Sequence, residues 1–261
     1  MSSPSTPGEP RTGQQLYHVT PFTPATAVKL TALAIVTIYV VQIIVGSLKV
    51  PVLVASVAGD VAVVAVVLGI AKSRGWTLRD FGLRATAPRF LVAAVLVGIS
   101  MWFVTLTLVN LVQPPGDTKA LEKAVEQTSL VPTLIALAIL PAVAEELVFR
   151  GILTRALTQR FQPIGAIAIS ALVFAVYHLL PAQIVSTVVL GLALGYLTLR
   201  ANSIVPAVIV HFLNNSIAIV LSRDEVPDVR AWIDAHPPFM LVASLVLVMC
   251  GLALAAAKGA A

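Results

Sequence analysis

The sequence predicts an all-α, polytopic membrane helix bundle of about eight transmembrane helices with both termini in the cytoplasm, and three observations predict it. Hydrophobic residues make up 58% of the 261 and charged residues only 11%. The mean hydropathy of +0.96 is far from the balance of a soluble domain of this size. Apolar runs of about 20 residues, the length that spans a hydrocarbon core of about 30 Å, recur through the chain. Lys and Arg gather on one side of those runs, as the positive-inside rule requires.

The elements follow in order. Residues Met1 to Pro24 are rich in Ser, Thr, Pro and Gly and lack the layout of a cleavable signal peptide. They are expected to form a flexible tail, residues 1–24, ahead of a transmembrane helical domain, residues 25–258. The expected spans are Ala25 to Leu48, Pro51 to Ala71, Phe90 to Val112, Leu130 to Phe149, Pro163 to Leu180, Ala182 to Leu199, Ile204 to Leu221 and Pro238 to Ala257. With the N-terminus inside, twelve of the seventeen Lys and Arg face the cytoplasm, among them Lys72, Arg74, Arg79, Arg84, Arg89, Arg150, Arg155 and Arg160. Lys49, Lys119, Lys123, Arg223 and Arg230 fall opposite, together with acidic residues such as Asp117, Glu122 and Asp224.

The net charge of +5 is therefore read as orientation, and no nucleic-acid partner is expected, because the basic residues form no single surface stripe. Cys250 stands alone in the last apolar run, which excludes an intramolecular disulfide and makes a packing role the expectation. Gly191 and Gly195 form a G-x-x-x-G that lets helices approach closely, a packing signal only. The segments between helices are too short to fold alone, so function must sit in or beside the bundle.

Glu145 and Glu146 end the apolar run Leu130 to Ala144. A charge at bilayer depth costs at least about 2.5 kcal/mol on insertion scales and needs a reason. Glu146 and Arg150 are four apart on a helix and can pair, whereas Glu145 points about 100° away, so one carboxylate is neutralised while its neighbour stays free. The bland alternative is that both cap the helix end near the headgroups. Downstream, His178 closes the stretch Phe174 to His178, and His211 shares a helical face with Asn215, next to Asn214. Each histidine alone can be read as an interhelical hydrogen bond; two of them with an amide pair and a free carboxylate ask for more.

The fourth helix is expected to continue past Arg150 to a turn near Gln162 and Pro163. Glu145 and His178 then stand level, each about 25 Å from that turn. The cluster falls nearer the cytoplasmic face. Pro181 leaves two options for the fifth and sixth helices: two full crossings, or a short hairpin.

A carboxylate and a histidine around one water can take its proton, and a second histidine with an amide can donate to the oxygen of a carbonyl under attack. Such a set can hydrolyse an amide. No G-x-S-x-G elbow or H-E-x-x-H signature is present. Two histidines and a glutamate can also hold zinc with one open position, so residue types alone leave a metal hydrolase open, with Glu145, His178 and His211 as its ligands.

The stretches AEELVFRG, FAVYH and HFLNN closely resemble the three motifs of the CPBP intramembrane proteases, the Abi-like CaaX prenyl-protease and bacteriocin-processing family: E-E-x-x-x-R, F-x-x-x-H and H-x-x-x-N. The resemblance covers about Leu130 to Leu221, the expected catalytic core. It implies that Glu145 activates the attacking water with His178, that His211 and Asn215 stabilise the oxyanion, and that Glu146 and Arg150 brace the site. The lack of a compact zinc motif favours hydrolysis without a metal or other cofactor. The implied partners are membrane lipid and a prenylated CaaX protein or leader peptide, and the implied location is a prokaryotic plasma membrane, the active site nearer the cytoplasm. Two other readings compete with this endopeptidase. One is a non-catalytic membrane scaffold or bacteriocin-immunity protein. The other is a proton-coupled transporter in which Asp60 joins Glu145, although Asp60 alone is better read as a hydrogen-bonded interior residue.

Overall fold

The structure is a computed structural model in which residues 20–112, 119–179, 181–223 and 225–257 are described. Its helices are α1 (Pro24–Ser47), α2 (Val52–Arg74), α3 (Pro88–Val112), α4 (Lys119–Gln127), α5 (Leu130–Leu157), α6 (Pro163–Tyr177), α7 (Pro181–Ala201), α8 (Val205–Ser222), α9 (Pro227–Ala235) and α10 (Pro237–Ala256). Among the described residues, seven helices are long and apolar enough to cross a membrane, and α6, at 15 residues, is shorter. About eight spans were expected. The difference lies in α6, which at 1.5 Å per residue rises about 22 Å against a core of about 30 Å. The hairpin question resolves unevenly: α6 stops short, while α7 is long enough to cross.

Most spans have no polar face to speak of, since the side that leaves the bundle meets lipid rather than water. Helix position in the bundle follows from burial. α3 and α7 are each 56% buried along their apolar windows and form the centre, whereas α1 at 17% and α10 at 22% lie at the edge. α3 packs on α10, α8 and α7, α1 on α2, and α6 on α7. Lipid tails are as apolar as leucine, so contacts between spans depend on close approach. Gly98 lets the backbone of α8 come within 3.1 Å of where a Cβ would stand, and Gly251 faces the Ala93 carbonyl of α3 at 2.9 Å by the same measure. Cys250, expected in packing, is exposed on α10.

Two short helices went unread in the sequence. α4 and α9 are amphipathic; α4 precedes α5 in the chain and α9 follows α8. Arg223, just past α8, donates to the carbonyls of Val125 and Thr128 at 2.5 and 2.6 Å, closing the carbonyl end of α4 with a cation that suits its dipole.

The loop 75–87 is bolted across one end of the bundle. Phe81 packs tilted against Phe22 at 5.1 Å between ring centroids, and Phe22 meets Trp76 edge-on at 4.8 Å. The Gly82 carbonyl accepts from Ile204 N at 3.0 Å, Ser203 Oγ donates to the Arg84 carbonyl at 2.7 Å, and Arg155 Nη1 to the Asp80 carbonyl at 3.1 Å. Of the tail expected over residues 1–24, residues 1–19 lie outside the described residues. Its last turn is packed: Thr20 and Phe22 are buried, and Gln159 Nε2 donates to Thr20 Oγ1 and the Phe22 carbonyl. Arg150 and Arg155 lie within α5, which runs past Arg150 as expected, and both side chains are buried.

Gly151 is where the loop meets α5. A Cβ there would stand 2.7 Å from the Phe81 carbonyl oxygen, a backbone atom with no room to retreat. Gly151→Ala is expected to cost about 1–3 kcal/mol of stability, read as a lowered thermal unfolding midpoint of the purified protein in detergent.

Candidate active site

α5 carries the acidic pair on an irregular backbone. Two π-helical stretches, Ile135–Ile139 and Glu146–Thr154, interrupt it, and Glu145 ends the α-helical turns between them. Such widened turns recur at functional sites because they re-aim side chains. Pro141 has no N–H to offer the Leu137 carbonyl four residues earlier. Asn215 Nδ2 of α8 donates to that carbonyl at 3.0 Å, so the missing donor in one helix fixes the amide of another. In the second stretch, the hydroxyls of Thr154 and Ser170 converge on the Phe149 carbonyl at 2.8 and 3.1 Å.

The expected pairing of Glu146 with Arg150 forms, fully buried, at 3.0 Å. Glu146 does more than brace. The same Oε1 accepts from His211 Nδ1 at 2.9 Å, which fixes the ring and turns Nε2 toward Glu145, whose Oε2 is 3.8 Å away. Glu145 is nearly as enclosed, its side chain 11% exposed. The guanidinium of Arg150 is held on two further sides. Its Cζ lies 4.2 Å over the Phe174 ring, and Nη2 donates to the Gly191 carbonyl at 3.4 Å. A Cβ on Gly191 would come within 3.3 Å of Nη2 and 3.1 Å of the Ala171 backbone. Gly191 therefore serves both the helix contact read from the sequence and the seat of Arg150.

His178 caps the end of α6, where the last turn tightens: its N–H bonds to Ala175 at 3.2 Å rather than to Phe174. The Phe174 carbonyl so released accepts from the His178 ring, Nδ1 to oxygen 2.9 Å. A carbonyl only accepts, so Nδ1 carries the hydrogen, and in the neutral ring Nε2 then presents a lone pair. Leu179 follows at φ 55°, a left-handed residue that ends the helix next to the histidine. Tyr39 Oη of α1 donates to the Tyr177 carbonyl and ties this end to α1.

The sequence paired Glu145 with His178. In the structure His211 is the imidazole within ion-pairing distance of Glu145, and His178 makes no such pair. The two rings are bridged instead by Phe174, edge-on to His178 at 4.9 Å and to His211 at 6.0 Å between centroids. Phe174 had been quoted only as part of a motif, without a role; its spacing four residues before His178 is the signal that marks it. Asn214 donates to Asn215 Oδ1 at 3.0 Å and accepts from Thr105 Oγ1 at 3.4 Å. The amide of Asn215 is thereby oriented with one N–H still free of the Leu137 carbonyl.

The zinc set of Glu145, His178 and His211 does not fit this arrangement. Among the described residues, no three His, Cys, Asp or Glu side chains stand close enough together to hold a metal ion.

The order of these side chains along the chain, together with a buried histidine lodged between two glutamates, can be compared with known families. Residues 127–217 match the family described as Rce1-like, type II CAAX prenyl endopeptidase. The matched Rce1-like segment begins at the end of α4 and runs into α8, so it contains Glu145, Glu146, Arg150, His178, His211 and Asn215 together. No curated protein and no solved structure matches the chain. The family match and the buried ion pairs of His211 support a protease-like site within a membrane bundle.

Proposed function

We propose that the protein is an intramembrane endopeptidase that hydrolyses a peptide bond of a membrane-associated substrate, a prenylated CaaX-type protein or a leader peptide, with water activated by Glu145. The observation that carries this reading is the division of labour between the two glutamates. Glu146 is committed through Oε1 to Arg150 and His211, while Glu145 has no ion pair closer than the 3.8 Å between its Oε2 and His211 Nε2; the second oxygen of Glu146 and Oε2 of Glu145 are without hydrogen-bond partners among the described residues. A carboxylate left uncommitted in a buried site is costly unless the chemistry uses it.

In this mechanism Glu145 takes a proton from water as the oxygen bonds to the scissile carbonyl carbon. His178, with a lone pair on Nε2, assists from the end of α6. His211, as an imidazolium, donates through Nδ1 to Glu146 and through Nε2 to the developing oxyanion, joined by the second N–H of Asn215. The proton on Glu145 then passes to the leaving amine as the C–N bond breaks. Arg150 balances the charge of Glu146 throughout.

The charge asymmetry of the loops supports a site that opens toward the cytoplasm of a prokaryotic plasma membrane with both termini on that side. A lipid-anchored substrate would reach it from within the leaflet. The test compares membrane peptidomes of cells carrying wild-type protein and Glu145→Ala. Uncut precursors should accumulate in the variant and would name the substrate; identical peptidomes would count against proteolysis. His178→Ala is expected to lower kcat by about 10²-fold with the fold intact, measured by cleavage of the precursor so found.

A further inference from the structure

The loop 75–87 and the helix ends beside it carry Lys72, Arg74, Arg79, Arg84 and Arg89, with Asp80 the one acidic residue among them. Lys72, Arg74 and Arg79 are exposed, and Arg84 and Arg89 are half-buried. None of the five is in an ion pair among the described residues, whereas beyond the far end of α8 Arg223 pairs with Glu225 at 2.8 Å and Arg230 with Asp234 at 3.7 Å. The nearby carboxylate is already engaged: Asp80 Oδ2 accepts from the N–H and the hydroxyl of Thr77 at 2.7 and 2.9 Å. Other groups hold the guanidiniums in place. Arg84 Nη2 donates to the Arg79 carbonyl at 2.5 Å, and Arg89 Cζ lies 4.8 Å over the Phe90 ring. Beneath the loop is Arg155 of α5, 5% exposed, with Nη1 on the Asp80 carbonyl and no hydrogen-bond partner for Nη2 among the described residues. The like charge of Arg84 acts on it, and that of Asp80 opposes. Apolar side chains stand among these cations, since Leu78 and Leu83 are 53% and 36% exposed. Water rewards only the arginines; the boundary between headgroups and acyl chains suits both.

We infer that this loop is a docking surface for anionic phospholipid, with Arg79, Arg84 and Arg89 meeting headgroup phosphates while Leu78 and Leu83 enter the acyl boundary. The inference is independent of the endopeptidase reading. Clusters of about four to eight Lys and Arg at the end of a membrane span attract anionic lipid, and a guanidinium fork matches the oxygens of a phosphate. Net charge then selects the lipid: a zwitterionic headgroup brings its own cation, and an anionic one offsets the repulsion between Arg84 and Arg155 without touching the latter. The loop is fastened to α5, through the Asp80 carbonyl on Arg155 and the Phe81 carbonyl against Gly151. Lipid held on the loop therefore stabilises the helix that carries Glu145 and Glu146, because a ligand that binds only the folded state shifts unfolding by mass action.

The test places the full chain in nanodiscs of phosphatidylcholine, alone or with about one-third phosphatidylglycerol, and reads the thermal unfolding midpoint. Phosphatidylglycerol is expected to raise the midpoint of the wild type by about 2–4 °C. Arg79→Gln combined with Arg84→Gln should lose most of that rise. Lys49→Gln combined with Lys123→Gln, which removes the same charge from two exposed side chains away from the loop, should keep it. Equal rises in the two double variants overturn the inference, since net charge alone then accounts for the effect. An equal rise from millimolar inorganic phosphate added to phosphatidylcholine discs overturns it too, because the site would then be one for a free anion. Should the double arginine variant fail to fold, native mass spectrometry of the wild type released from mixed discs decides. Several-fold retention of phosphatidylglycerol over phosphatidylcholine is expected, and equal retention overturns the inference.

Discussion

Glu145→Gln is expected to reduce kcat by about 10³-fold or more, within the range lost when a general base is removed, while the protein folds and inserts as before. The substitution keeps the shape of the side chain and removes the lone-pair basicity that water activation needs. No close ion pair depends on the charge: Glu145 Oε2 has no hydrogen-bond partner among the described residues, and the nearest imidazole nitrogen, 3.8 Å away, belongs to a ring already fixed by Glu146. Single-turnover cleavage of the accumulated precursor measures the loss. Unfolding midpoints of the two proteins in the same detergent should agree. Retained turnover would remove Glu145 as the base that activates water.

Glu146→Ala is expected to fail differently, by loss of the folded state. Removing one partner of a buried ion pair costs about 3–5 kcal/mol because the other charge stays buried and uncompensated. Here the stranded group is the guanidinium of Arg150, fully buried, with only the Phe174 ring and one long bond to the Gly191 carbonyl left to it. His211 loses its Nδ1 acceptor in the same step. The expected result is poor yield and a sharply lowered unfolding midpoint, whereas Glu146→Ala combined with Arg150→Met, which removes the stranded charge, should recover much of the stability without recovering activity. Two adjacent glutamates would thus give opposite phenotypes, one in rate and one in folding. Equal stability of Glu146→Ala and wild type would remove the ion pair from the account.

The site was legible as a set of residues more than as a set of contacts. Glu146 with Arg150 follows from helical spacing alone, and the structure contains that pair. The partner of Glu145 does not follow, because two helices related by a turn set depth but leave rotation undefined. Depth made His178 the neighbour; rotation of α8 made it His211. Asn215 shows the same limit. Its nearness to His211 on one face is periodicity, but its bond to Leu137 needs Pro141 in another helix to have left that carbonyl unclaimed.

The sequence by itself determined that this chain is a bundle of apolar helices and which polar residues it carries into that bundle, because the cost of burying a charge in lipid leaves few such residues and each marks a place. Tertiary structure decided what those residues do to one another. The π-helical turns of α5, the early stop of α6 at Tyr177 and the seat for Arg150 beneath Gly191 arise from how the helices rotate and settle against each other. With lipid outside and apolar packing inside, hydrophobic pattern says little about which face of a span turns inward. Close contacts between small residues and the few buried polar bonds make that choice.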